Sequence, residues 1–354
     1  MHKRNKYRLP VISFAAMAAC LALLALSSQS VMREIPFAVA AEAAPRPQIP
    51  VQIPEKKKPG QSKEIPQIGG TKKINVNLVR LYVTVRDKHG AIVPNLEQKD
   101  FHVFEDGKEQ KISFFSKDMN DPITLAMMID TSGSERFLLD AEKETATRFL
   151  RDILKKDDLA TVISFDTAVN MLADFTDDQD VLTRAIDKAE INQPPPVPGP
   201  SSSSLPGTVL YDAINQVCAD KLPTETGRKA LIILTDAHDE GSTSTLNSAI
   251  YAAQQANAVI HVLLVSEAFY AGAYEAHEMA YQTGGRVIPI RNDNDLDKAF
   301  NQISQELRSQ YIVAYYPTDT SANGGFRKIK VDTEQKDLKV LTRAGYYAPT
   351  TNGE

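Results

Sequence analysis

Asp130-Thr131-Ser132-Gly133-Ser134 places a carboxylate and two hydroxyls at alternate positions, directly after the apolar run Thr124 to Ile129. Two later stretches add oxygen donors of the same kind. Thr208 lies in Gly207-Thr208-Val209-Leu210-Tyr211-Asp212, and Asp236 closes Leu234-Thr235-Asp236. Carboxylates and hydroxyls are hard ligands, so a mixed set of them suits Mg²⁺, Mn²⁺ or Ca²⁺ better than Zn²⁺, which favours thiol and imidazole. Taken singly, each stretch has a plainer use: Ser and Thr cap helices, and Asp closes turns. Together and in order, each at a strand end or helix entry, they point to a metal site.

Other polar clusters offer less. His238, Asp239 and Glu240 follow Asp236; Asp239 is the best placed to support a ligand from behind, and an exposed acidic loop is the alternative. Asn292-Asp293-Asn294-Asp295 lacks the Gly and distal Glu of a calcium loop and reads as the N-cap of a helix at Leu296. No Gly-x-Ser-x-Gly elbow, phosphate loop or His/Glu zinc helix occurs, and His261 and His277 stand isolated, so catalysis is not expected. The net charge of -5, with Lys and Arg scattered along the chain, gives no stripe for nucleic acid.

The elements that must position these donors lie between about 122 and 310, where apolar strands alternate with amphipathic helices. Strands are expected at Thr124 to Ile129, Leu159 to Phe165, Ala230 to Leu234, Val259 to Val265 and Arg286 to Ile290. Helices are expected at Arg136 to Leu154, Val181 to Ala189, Val209 to Leu222, Thr245 to Asn257, Ala273 to Thr283 and Leu296 to Ser309. Such alternation means a doubly wound α/β fold with a mostly parallel sheet covered on both faces, whose ligands bind beyond the carboxyl ends of the strands.

Strand grammar brackets this region. Val79, Leu81, Val83 and Val85 alternate, and Asp106-Gly107 is a hairpin signal between Phe101 to Phe104 and Lys111 to Phe115. Tyr311 to Tyr316, Phe326 to Val331 and Leu338 to Thr342 are three further short strands, too few to make a stable two-faced sheet alone. The economical solution pairs them with the N-terminal strands, giving a small β-sandwich interrupted by the α/β domain. The expected division is 72–118 and 311–349 for the sandwich, 119–310 for the α/β domain, and 350–354 as a tail.

Residues 1–40 read as a signal peptide or an uncleaved signal anchor: Lys3, Arg4, Lys6 and Arg8 precede an apolar run from Val11 to Leu26, and Ala38-Val39-Ala40 is a small-residue cleavage site. Either outcome places the protein outside the cytoplasm, in the periplasm, on the cell surface or secreted. Residues 41–71, with six prolines up to residue 70 and Lys56-Lys57-Lys58, form an expected tether. Cys20 and Cys218 are the whole cysteine set, so a mature chain cut after Ala40 holds no internal disulfide. Segment 193–207, Pro-rich and then Ser-rich, leads into Thr208 and is either a partner-selecting arm or an unstructured insertion.

Asp130-x-Ser132-x-Ser134 followed by Thr208 and Asp236 resembles the metal-ion-dependent adhesion site of von Willebrand factor A domains. Val83 to Lys111 and Tyr311 to Pro349, ending Arg343-Ala344-Gly345-Tyr346-Tyr347-Ala348-Pro349, resemble the bacterial family related to it of the acidobacterial type. The resemblance spans about residues 75 to 349. It implies that Ser132, Ser134 and Thr208 are direct ligands of a divalent cation, Mg²⁺ first and Mn²⁺ or Ca²⁺ as alternatives. Asp130 and Asp236 would act directly or through water. It further implies an open coordination position for a partner protein's Asp or Glu, and a shift of the last helix, Leu296 to Ser309. The chain departs from the family in carrying Ala237 where many members have Gly, which restricts the backbone after Asp236. The expected function is an exported adhesion module. A metal-free structural module of the cell envelope is the alternative, with a metal-dependent hydrolase behind both.

Overall fold

The computed structural model describes residues 78–117, 121–191, 207–265 and 272–350. The export segment, the tether, nearly all of the Pro/Ser segment and most of the expected tail lie outside the described residues. Strands β1 (Val79–Arg86), β2 (Phe101–Glu105), β3 (Lys108–Gln110) and β4 (Ile112–Ser116) come first. The middle of the chain gives β5 (Ile123–Asp130), α1 (Leu139–Ile153), β6 (Leu159–Phe165), β7 (Val169–Thr176), α2 (Gln179–Asp187) and α3 (Leu210–Gln216). It continues with β8 (Arg228–Thr235), α4 (Leu246–Gln255), β9 (Ala258–Val265), α5 (Ala273–Thr283), β10 (Val287–Ile290) and α6 (Asp293–Arg308). Strands β11 (Tyr311–Tyr315), β12 (Phe326–Thr333), β13 (Lys339–Leu341) and β14 (Gly345–Tyr347) follow. Among the described residues no helix is long and apolar enough to cross a membrane.

The central sheet runs β10-β9-β8-β5-β6-β7, parallel except for β7, which pairs antiparallel with β6. Every residue of β5 is buried, as its unbroken apolar run requires of a middle strand covered on both faces. One core lies between the sheet and α1, α2 and α6; the other lies against α3, α4 and α5. Local signals set the helix ends: Asp178 caps α2, Asn292 caps α6 by accepting from the Asp295 amide, and Gly284 ends α5 at φ 84°. The region expected to be one helix from Val209 to Leu222 is α3 followed by a π-helical turn at Val217–Lys221.

The other eight strands form two four-stranded sheets, ordered β13-β1-β11-β4 and β14-β12-β2-β3. Each mixes the two ends of the chain: β11 pairs antiparallel with both β1 and β4, and β12 with β2. A single core of Val79, Leu81, Val83, Val85, Phe101, Val103, Tyr311, Val313, Tyr315, Ile329 and Val331 lies between them. The α/β domain is thus inserted in a β-sandwich. Asp106 (φ 48°) and Gly107 (φ 80°) make the tight β2–β3 turn, where only residues tolerant of left-handed backbone fit.

Two buried ionic clusters bind these parts. Glu306 of α6 pairs with Arg86 of β1 and, at 2.8 Å, with Arg286, tying the last helix to the sandwich. Glu105, 3% exposed, accepts from the Tyr315 hydroxyl at 2.7 Å and the Tyr346 hydroxyl at 3.0 Å, and pairs with Arg327 at 3.1 Å. Glu105→Gln leaves the buried Arg327 only the exposed Asp319, at 3.3 Å, as counter-charge, so the urea midpoint should fall by the equivalent of about 3 kcal/mol. An unchanged midpoint at constant slope would show the pair to be energetically idle.

Candidate metal site

Register alone assembles the edge of this site. In the parallel sheet Ile129 lies beside Leu234 and Asp130 beside Phe165, so the chain leaving β5 meets Thr235-Asp236 on one side and Asp166 on the other. This is the carboxyl edge of the sheet, where loops rather than strands fill space and polar groups can face a ligand. After Asp130 the chain turns through a short 3₁₀ helix, Gly133–Phe137, before α1.

Asp130 is fully buried: one carboxylate oxygen accepts from the Ser132 amide at 2.9 Å and the other from the Thr235 hydroxyl at 2.6 Å. Ser132 and Ser134 bring their hydroxyls to 2.9 Å of each other. Asp236 accepts from the His238 amide at 3.0 Å. Thr208 is buried at the entry to α3, where its carbonyl accepts from the amides of Glu240 at 3.2 Å and Gly241 at 3.1 Å. The Val209 amide bonds the Asp166 carbonyl at 2.8 Å, so the Thr208 segment is held between the loop after β6 and the loop after β8. Asp239 accepts from the Tyr211 amide at 3.0 Å and the Ser242 hydroxyl at 2.6 Å, anchoring the first turn of α3. Its visible task is to position the loop bearing Thr208.

Ala237 takes φ 59°, the left-handed backbone that the sequence makes costly for a residue with a Cβ. It is held there because its amide donates to the Thr235 hydroxyl, which in turn donates to Asp130, while Gly272 packs directly on its backbone. Ala237→Gly should therefore stabilise the fold by about 1 kcal/mol, read as a raised thermal midpoint with metal response retained. A lowered midpoint would show that the methyl group packs better than the strain costs.

Sequence reasoning missed two acidic residues here. Glu135, in the 3₁₀ turn, is 1% exposed, and neither of its carboxylate oxygens has a hydrogen-bond partner; the Asp236 amide faces it without reaching bonding geometry. One oxygen each from Asp130, Glu135 and Asp236 lie within 4.8 Å of one another. Glu142, on the buried face of α1, is likewise without a partner for either oxygen. Its spacing betrays it: Leu139, Glu142, Ala146, Phe149, Leu150 and Ile153 form one helical stripe, and a glutamate on an apolar stripe is a signal. Burial, reinforced by the neighbouring carboxylates, pushes Asp130 up to about 7, Glu142 to about 8 and Glu135 to about 10.

This donor set fits a hard divalent cation: carboxylates crowd together with hydroxyls beside them, and the orphaned carboxylate of Glu135 lacks any positive partner among the charges acting most strongly on it. Away from the edge two other reactive side chains, Cys218 and His261, are buried. Burial raises the Cys218 thiol to about 12 and lowers the buried His261 to about 3, so neither is ionised near neutrality.

A Rossmann-like sheet with an acidic and hydroxyl-bearing edge defines a class, and residues 125–238 match the family described as von Willebrand factor type A domain. The match covers the stretch from within β5 to the loop after β8, and it is there that the chain is similar to a von Willebrand factor type A domain. Similar solved structures include the conserved hypothetical protein BatB from Bacteroides thetaiotaomicron, 20% identical, with a TM-score of 0.42 over 53% of this chain and 100% of that one. A von Willebrand factor type A protein from Catenulispora acidiphila is 14% identical, with a TM-score of 0.46 over 74% and 76%. Proximal thread matrix protein 1 from the mussel byssus, in a structure with a zinc-occupied MIDAS motif, is 17% identical, with a TM-score of 0.44 over 56% of this chain and 48% of that one. No curated protein matches the chain.

Proposed function

We propose that Asp130, Ser132, Ser134, Thr208 and Asp236 hold a divalent cation, Mg²⁺ first and Mn²⁺ or Ca²⁺ with the same donors, and that the protein uses it to bind an acidic residue of a partner protein. The observation that carries this reading is the convergence of Asp130, Asp236 and the paired Ser132 and Ser134 hydroxyls on one edge of the sheet. A bound cation supplies an electrophilic centre for a partner's carboxylate, a charge-assisted contact that chelator removes. Phe137, 94% exposed three residues beyond Ser134, offers an apolar shoulder beside that contact. The positive n-region and apolar run of residues 1–40 support export, so the partner belongs to the envelope, the cell surface or the medium. The Pro/Ser segment 193–207 enters directly before Thr208, which favours its role as a partner-selecting arm.

A metal-free structural module is the competing reading, favoured by the hydrogen bonds that already satisfy both oxygens of Asp130. Thermal shift separates the two. Mg²⁺ or Mn²⁺ should raise the midpoint of the wild type, EDTA should reverse the gain, and Asp130→Ala should abolish it. Adhesion further requires an envelope protein captured with metal and released by EDTA. A wild type indifferent to metal, or an Asp130→Ala variant that responds equally, removes the metal reading; metal binding with no metal-dependent capture favours the structural module.

A further inference from the structure

Glu135 is a carboxylate that the five-residue metal set does not use, placed where it can reach the same ion. The 3₁₀ turn fixes its backbone, with its amide bonded to the Ser132 carbonyl at 3.2 Å, and the side chain is buried rather than turned to water. Both of its oxygens lack partners. An isolated carboxylate in such a place costs several kcal/mol unless a cation or donors compensate it. The charges acting most strongly on it are those of Glu142, Asp130 and Asp236, all negative, so the protein around it supplies repulsion where a counter-charge is needed.

The spacing fits coordination. In an octahedral shell with bonds of roughly 2.1–2.4 Å, adjacent oxygens sit about 3.0–3.4 Å apart and opposite ones about 4.2–4.8 Å. Oxygens of Asp130, Glu135 and Asp236 within 4.8 Å of one another can therefore share one ion, with the 2.9 Å pair of Ser132 and Ser134 hydroxyls beside them. Resting on the metal reading above, we infer that Glu135 is an internal ligand of this site, occupying the coordination position that a partner's acidic side chain takes. The protein closes its own metal site, and a partner binds by exchanging its carboxylate for that of Glu135. Three protein carboxylates also leave the ion less electrophilic than hydroxyl ligands and water-bridged aspartates would, so the closed site holds metal tightly and partners selectively.

Mn²⁺ titrated into the full-length chain tests this, with affinity read by calorimetry and coordinated water counted by water-proton relaxation. Glu135→Gln and Glu135→Ala should each bind Mn²⁺ about tenfold more weakly or worse. Glu135→Ala should carry at least one more coordinated water than the wild type. Acetate, as a bare carboxylate probe, should displace that water from Glu135→Ala at concentrations about tenfold below those needed with the wild type. Glu142→Gln removes a neighbouring charge that is not part of the three-oxygen set, and should keep the wild-type water count. If the wild type binds Mn²⁺ and both Glu135 variants match it in affinity and water count, internal ligation is overturned while the metal site stands. If the wild type binds no Mn²⁺, both fall together.

Discussion

A chain ending at Ser309 is expected to collect in the insoluble fraction, whereas residues 121–309 alone should stay soluble. The first truncation keeps β1 to β4 but removes β11, which lies between β1 and β4, and β12, which pairs β2. It also takes Tyr311, Val313, Tyr315, Ile329 and Val331 out of the sandwich core. At roughly 1.5–3 kcal/mol for each large buried side chain, that loss matches the whole stability of an ordinary domain, about 5–15 kcal/mol. The orphaned strands then expose unpaired edges and an apolar face, which is the recipe for aggregation. Residues 121–309 carry no such strands and keep both cores of the α/β unit. Equal soluble yields of the full chain and the chain ending at Ser309 would show that the two ends do not depend on each other.

Metal-free protein should lose stability as pH rises from 6 to 9, and added Mg²⁺ or Mn²⁺ should help more at the higher pH. Asp130, Glu142 and Glu135 have folded-state values raised to about 7, 8 and 10, chiefly by burial, against about 4 for the same groups unfolded. The folded protein thus holds protons that the unfolded chain has released. Their stabilising contribution is full below about pH 4 and is lost as pH climbs through the folded-state values. Forcing negative charge onto this cluster should lower the midpoint by about 5 °C or more between pH 6 and 9 in EDTA. A divalent cation competes with those protons, so its gain should grow over the same interval. Glu142→Gln should flatten the EDTA profile. A midpoint that rises with pH in EDTA, or a metal gain equal at pH 6 and 9, contradicts this account. His102 works in the same direction from the surface, raised by hydrogen bonds to Glu109 and Glu334, and its variants serve as the background control.

Particular elements show what was legible. The apolar run ending at Asp130, the helix stop at Gly284, the Asn292 cap and the Asp106-Gly107 turn are local signals, and each appears in the fold where its residues place it. That turn leads into β3, however, and the expected hairpin partner, Lys111 to Phe115, falls from Ile112 on in β4, which pairs with β11 in the other sheet. β7 was not legible: it is an edge strand with mostly half-exposed and exposed residues, so it has no continuous apolar run to mark it, and its pairing with β6 is irregular. The helix expected from Arg136 begins at Leu139, because the turn carrying Ser134 and Glu135 comes first. β14 is three residues long and exists by pairing with β12.

Sequence by itself determined the oxygen-rich stretches at Asp130, Thr208 and Asp236, the alternation that makes a parallel sheet, and the need of the terminal strands for each other. These follow from periodicity, turn chemistry and donor type, which are written along the chain. Tertiary structure decided which donors meet. Strand register set Asp130 beside the ends of β6 and β8, and burial turned Glu135 and Glu142 from ordinary charges into partnerless carboxylates. Close packing also held Ala237 in a left-handed conformation that its residue type disfavours. Desolvation and strain arise from neighbours distant in sequence, so no local pattern announces them.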